Sequence, residues 1–437
     1  MTASQTPKKT FAPSRRRFLK DVAATTALLV AARQLLPHGA FAAAAGPEVT
    51  GTKLGFIALT DSAPLIIAKE KGLFDKYGLP DMEVLKQASW GATRDNMALG
   101  TANGGIDGGH ILRPKVHLYS SGAVMQNKQP LPMYTLINLN EDCQAISVAQ
   151  EYAETGVQKD AGALKEAFAK KKAAGKAASV AMTFPGGTHD LWMRYWLAAG
   201  GIDPDKDVEL ITVPPPQMVA NMKVGNMDAF CVGEPWNEQL VHQKIGFTAL
   251  TTGELWFRHP EKILGMRADF VDKNPKAALA IMMATMEAQQ WCDKMENKQE
   301  MAEIIGKRQW YNVPVPDIIG RIKGDINYGN SRTAQGTNLL MKFWGEKGET
   351  SYPWKSLDTW FMTENIRWGK FSGTTDVKKM VDATNRSDLW LEAAKALGLT
   401  DLPSGDSRGT ETFFDGKVFD PANPSAYLDS LAIKAMV

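Results

Sequence analysis

Leu54-Gly55-Phe56-Ile57-Ala58-Leu59, followed at once by Thr60-Asp61-Ser62-Ala63-Pro64-Leu65-Ile66-Ile67-Ala68-Lys69-Glu70-Lys71-Gly72, reads as a strand feeding a helix. The first run is short and apolar, which suits a buried strand over 54–59. Pro64 stands where a first-turn proline loses no hydrogen bond, and Gly72 is placed to close a helix over 64–71. A strand over 82–85 and a helix over 93–99 are expected next. Short apolar strands alternating with helices give a largely parallel sheet covered by helices, an α/β fold.

Further along, the same pattern starts again. A Lys/Ala-rich helix over 161–176 precedes a strand over 179–182 and the turn Phe184-Pro185-Gly186-Gly187. Thr188 is placed to cap a helix that ends at Gly200-Gly201. A strand over 208–213, a helix from Pro214-Pro215-Pro216 to Gly225, and a strand over 229–232 complete the second unit, which closes on Gly233-Glu234-Pro235-Trp236. Asn274-Pro275 opens a long helix to 295, on which Met282, Met283, Met286 and Trp291 read as core. Beyond Gly369 the sequence names no chemistry. A chain of 437 residues exceeds what one core accommodates, so at least two lobes are expected.

With 50 Lys+Arg against 48 Asp+Glu the net charge is only +2, so there is no basic field of the kind that gathers nucleic acid, and any anion site must be local. Cys143, Cys231 and Cys292 are odd in number and far apart, which excludes a CxxC metal site and a complete disulfide framework. Near the start, Ser14-Arg15-Arg16-Arg17-Phe18-Leu19-Lys20 leads into an apolar stretch over 22–36 and then Ala-Phe-Ala-Ala-Ala-Ala. A basic region, a short apolar region and small residues before a cut are the parts of an export signal, here of the twin-arginine kind, expected over 1–45. The apolar run is broken by Arg33 and Gln34 and falls short of the ~20 residues a membrane span needs. The mature protein is expected to be periplasmic.

Several segments taken together resemble the nitrate- and bicarbonate-binding proteins of bacterial ABC transporters. They are Thr60-Asp61-Ser62-Ala63-Pro64-Leu65, Glu70-Lys71-Gly72-Leu73-Phe74, Trp90-Gly91-Ala92-Thr93-Arg94-Asp95-Asn96, Gly104-Gly105-Ile106-Asp107-Gly108, Pro185-Gly186-Gly187-Thr188-His189-Asp190, Gly233-Glu234-Pro235-Trp236-Asn237 and His259-Pro260-Glu261-Lys262. The resemblance covers the whole mature chain. It implies a two-lobed, type II-like periplasmic-binding-protein fold with the ligand between the lobes. One lobe would take residues 50–146 and 248–437, the other 147–247. It also implies a nitrate or nitrite cargo, a membrane permease and an ATPase as partners, and no cofactor; a monomer is expected.

Nitrate is a planar monoanion that accepts hydrogen bonds and has no proton to give, so its site must offer donors and one positive charge. Lys262 would supply the charge, since bicarbonate-binding relatives look to carry an acidic residue there, suited to a hydroxyl. By itself a lysine is more often a solvated one. His189, in the first turn of its helix, would donate from its ring where the helix terminus also favours an anion; otherwise it is a surface histidine. Trp90 would donate its indole N–H, or simply be core. Gln144 would donate its amide, or sit in an exposed loop. Gly233 would let a backbone N–H come close, or only make a tight turn. Glu234 carries the wrong charge for contact and is expected to orient Lys262 or His189, or to cap the helix after it.

For the best small ligands about −1.5 kcal/mol per non-hydrogen atom is the ceiling, roughly −6 kcal/mol for a four-atom ion. Micromolar binding needs about −8.2 kcal/mol. The donors must therefore act together in a cleft closed to water. A bicarbonate carrier and a cytoplasmic sensor are the rival readings, the export segment opposing the second. No nucleophile elbow, HExxH or phosphate loop speaks for an enzyme. His110 and His117 are a weak metal pair, and no metal is expected.

Overall fold

The computed structural model describes residues 46–336 and 339–435; the export segment expected over 1–45 lies outside them. Residues 47–437 form one compact unit by their contacts. It contains two five-stranded sheets.

The first sheet begins as expected. Strand β1 (Lys53–Phe56) gives way to a tight turn over Thr60–Ser62 and helix α1 (Ala63–Glu70), so the strand is shorter than its apolar run. Strand β2 (Glu83–Lys86) leads to helix α2 (Trp90–Leu99), which starts three residues earlier than predicted because Ser89 Oγ accepts the Ala92 N–H and caps it. Strand β3 (Gly108–Leu112) lies parallel to β1. Gly109 adopts φ 145°, and a Cβ there would meet Gly55 O at 2.0 Å, so glycine lets these strands approach. Helix α3 (Lys115–Ser120) and strand β4 (Met133–Asn138) follow.

The chain then crosses to the second sheet, where strand β5 is Gln144–Ala149. Strands β6 (Ala178–Met182), β7 (Val208–Thr212) and β8 (Ala229–Gly233) are built on the β1–β3 plan, with helix α4 (Thr188–Ala199) after β6 and helix α5 (Trp236–His242) after β8. Strand β9 (Gly246–Thr251) completes it, and the chain returns to β10 (Lys262–Arg267) in the first sheet.

The orders are β2-β1-β3-β10-β4 and β7-β6-β8-β5-β9. In each, three strands are parallel and one, β10 or β5, is antiparallel to both its neighbours. Each antiparallel strand is the first one reached after a crossing. The crossings are residues 139–143 and 252–261, so boundaries at 146/147 and 247/248 would cut through β5 and β9.

Helix α6 (Pro275–Asp293) packs on α1, with Met282 and Met286 buried. Helix α7 (Pro316–Lys323) and the hairpin after it pack against α5 and β9 of the second sheet, although the expected division gave them to the first lobe. Arg321 explains the placement: its Nε donates to Glu238 at 2.6 Å and its Nη2 to Thr248 at 2.9 Å. Helix α8 (Lys355–Arg367) returns to α4, where Trp360 stacks on Trp192 at 4.9 Å and Asn365 donates to Gly186 O. No described helix is long and apolar enough to cross a membrane.

Candidate functional site

The two crossings bring the ends of β1, β3, β8 and β10 together with the start of α4, and every side chain there is buried. Asp61 lies in the turn after β1. Ile57 N–H donates to His110 Nδ1, which leaves the ring proton on Nε2, and that nitrogen lies 2.6 Å from Asp61 Oδ1. Lys262 Nζ donates to Asp61 Oδ2 at 2.9 Å and also to the Glu261 carboxylate. Burial alone would raise the Asp61 carboxyl, but Lys262 and His110 override it and hold it at about 2. Burial would lower the Lys262 ammonium, yet its two carboxylates raise it above the usual lysine value. Glu261 is pushed up by burial, with Lys262 offsetting only part.

Helix α4 brings His189 to this cluster. Its N-cap is Gly187, so Thr188 does not cap as predicted; the hydroxyl instead donates to Glu261 Oε1 at 3.2 Å. His189 Nδ1 shares a hydrogen with Thr183 Oγ1 at 2.5 Å, while Nε2 lies 3.3 Å from Glu261 Oε1 without bonding geometry. Burial holds this imidazole well below the usual histidine range, with Lys262 acting in the same direction. Burial thus favours the neutral ring, whose Nε2 has no hydrogen-bond partner among the described residues and carries the proton in the tautomer where Thr183 donates to Nδ1.

Trp90 is fully buried as the first residue of α2, its ring 5.4 Å from His110 and 5.8 Å from Lys262 Nζ. Its indole Nε1 has no hydrogen-bond partner among the described residues. Gln144 opens β5 opposite Gly233 at the end of β8, and both polar atoms of its amide are likewise buried without a partner. A Cβ on Gly233 would stand 3.3 Å from the end of the Leu59 side chain and at ordinary contact, 3.4 Å, from Asp61 Oδ2, so this glycine lies directly against the carboxylate. The five residues singled out by sequence thus meet around one carboxylate-lysine cluster. Buried donors without partners are costly and uncommon, which makes this cluster the candidate site.

Two expectations change. Of the roles expected for Glu234 the capping one is seen and the orienting one is not: it bonds neither Lys262 nor His189, its Oε2 accepts the first-turn Glu238 N–H of α5, and Arg321 Nη1 lies 3.3 Å from its Oε1. Burial raises Glu234 to about 7. The orienting carboxylates are Asp61 and Glu261, which sequence reasoning passed over although both stood in quoted segments. Nor is Lys262 a free charge, since both carboxylates hold it. His110 and His117 serve different partners: His117 Nε2 lies 3.5 Å from Asp358 and its Nδ1 bonds Thr384. Among the described residues no group of three or more His, Cys, Asp or Glu is arranged to hold a metal.

Two mixed sheets of one plan, joined by two crossings that bury polar groups without partners, define a solute-binding protein of the periplasmic-binding-protein class. Residues 45–306 match the NMT1-like family. The chain is 60% identical over 393 residues to the nitrate/nitrite binding protein NrtA of Synechocystis, covering 89% of this chain and 86% of that one. It is 44% identical over 402 residues to the bicarbonate-binding protein CmpA of Synechococcus elongatus, covering 90% and 89%. The crystal structure of the periplasmic nitrate-binding protein NrtA from Synechocystis PCC 6803 superposes with a TM-score of 0.86 at 59% identity, over 89% of this chain and 100% of that one. The chain belongs to the NMT1-like family and, within it, to the nitrate-binding branch of the NrtA/CmpA proteins.

Proposed function

We propose that this chain is the solute-binding subunit of an ABC importer, that it takes up nitrate between its two sheets, with nitrite as a second anion of the same chemistry, and that it hands the ion to a permease driven by an ATPase. The observation that carries this is the cluster at Lys262. Trp90 Nε1, His189 Nε2 and the Gln144 amide are buried without partners beside an ammonium, which suits an acceptor-only anion. Lys262, His189, Trp90, Gln144 and Gly233 are the residues we assign to the ion. The two lobes are the two sheets with their helices, meeting at residues 139–143 and 252–261, and the ion is enclosed when they close. Residues 1–45 direct export by the twin-arginine route and are removed, so the working protein is periplasmic and monomeric. It is a carrier and not an enzyme.

The test is calorimetric titration of the purified protein with nitrate, repeated with bicarbonate plus calcium and with Lys262→Glu. Micromolar or tighter nitrate binding is expected, and Lys262→Glu should weaken it at least a hundredfold, about 2.7 kcal/mol, because two carboxylates would then face a third. Bicarbonate binding with no heat from nitrate overturns the cargo and leaves the fold.

A further inference from the structure

The charges at the proposed site do not balance. Asp61 and Glu261 are two negatives, Lys262 is one positive, and burial keeps His110 and His189 neutral. The cluster therefore carries one net negative charge with every member buried. A second negative charge arriving there, shut from water, needs a cation that these residues do not supply.

Lys115 is placed to be that cation. It is the first residue of α3, fully buried, and its Nζ makes one hydrogen bond, to Trp90 O at 3.0 Å. Among the described residues it has no carboxylate partner. Its Nζ lies 4.7 Å from the Trp90 ring and 3.9 Å from the ring of Phe184, in the turn that leads into α4. The indole whose N–H is unpartnered thus has Lys115 and Lys262 both against its ring.

We propose that Lys115 provides the positive charge that offsets the bound anion, and that it does so by taking a proton from solvent as the anion enters. The inference rests on the nitrate site proposed above. The amine gains an N–H bond and becomes an ammonium; nothing else changes hands. The surroundings of Lys115 favour a neutral amine until an anion arrives. From α2 it faces Arg94 and Asp95, from its own helix Tyr119, from β10 Lys262, and His189 is within electrostatic reach. Asp95, the one acid among them, is already bonded by Arg94 and Gln126. Burial pushes Lys115 well below the usual lysine value, and Arg94 and Lys262 push the same way. Among the described residues the other buried lysine with no carboxylate hydrogen bond, Lys298, stands against Phe343 beside Asp293 and Cys292, which the site does not use.

The experiment is nitrate calorimetry at pH 8 in two buffers of unlike ionisation enthalpy, with the unsubstituted protein and Lys115→Met. Uptake of about one proton per nitrate is expected in the unsubstituted protein. Lys115→Met should lose the uptake and bind about tenfold to a hundredfold more weakly, the worth of one charge-assisted contact. Persistence of uptake in Lys115→Met overturns the proposal, because the proton then goes to another group. Should Lys115→Met fail to fold, the unsubstituted protein decides alone: uptake of one proton requires affinity to fall about tenfold per pH unit, and a flat profile from pH 7 to 9 refutes it. A protein that binds nitrate without uptake sinks this inference only, whereas one that binds no nitrate sinks the site reading with it.

Discussion

Each crossing between the sheets buries a glutamate, and the two are treated in opposite ways. Glu141, on the first, accepts from Arg408 Nη1 at 2.6 Å, Arg258 Nε at 3.0 Å and Thr350 Oγ1 at 2.9 Å, so both oxygens are engaged. Glu261, on the second, has Lys262 and Thr188 on one oxygen and nothing on the other. Both are fully buried and neighbours across the bridge between Glu141 and Pro260. The first ties the C-terminal segment, through Arg408, to the point where the sheets meet. The second leaves bonding capacity open. The comparison separates a carboxylate that holds the fold from one that tunes a site, at the same depth and in the same chemical form.

Substitution should break the likeness further. Glu141→Gln takes the buried counter-charge from two arginines, leaving Arg408 with Glu411 and Arg258 with Glu349, and removing one partner of a buried ion pair costs about 3–5 kcal/mol. The lower end is expected because the Arg258 side chain is 36% exposed. It should show as a large fall in urea midpoint. Glu261→Gln should shift stability by less than about 1 kcal/mol, since Lys262 keeps Asp61 as its counter-charge and one oxygen of Glu261 has no partner to lose. Nitrate affinity should tighten in that variant as one negative charge leaves the site. Equal losses of stability in the two variants would end the distinction drawn here.

Much of this was legible in the sequence, and what was not has a common cause. The repeated strand-helix alternation is local, set by apolar runs and glycine or proline stops, and both sheets follow it. Trp90, Gln144, His189, Gly233 and Lys262 were read from residue type within quoted motifs, and the fold brings them together. Thr188 was read as a cap because its position allows it, yet its hydroxyl finds Glu261, 73 residues away. The crossings, too, are fixed by pairing of β5 with β8 and β9, 81 to 106 positions downstream, which no local pattern reports. Asp61 and Glu261 stand in the quoted segments but carry no local signal of a role, because the lysine they hold is brought to them only by the fold. Lys115, in Arg113-Pro114-Lys115, sends no signal at all; only its burial without a carboxylate gives it meaning.

The smallest net effect in the unsubstituted protein comes from two opposed slopes that largely cancel, one on the second crossing and one just after β8. His259, buried in the second crossing, is lowered from 6.5 to about 4, chiefly by burial. The unfolded chain therefore takes up its proton first, and stability from this group is lost as pH falls from 6.5 through 4. Glu234, after β8, is raised from 4.5 to about 7 by burial. Here the folded chain holds the proton longer, so the contribution is present below 4.5 and lost as pH rises through 7. Each is worth about 3 kcal/mol over its window, and across the shared range they run against each other. Urea unfolding between pH 4.5 and 7 should show Glu234→Gln gaining stability relative to the unsubstituted protein as pH rises, and His259→Gln gaining as pH falls. Difference curves that run parallel would mean the two groups do not titrate independently, and that Arg321 and Glu261, their nearest opposite or like charges, bind the two crossings into one electrostatic unit.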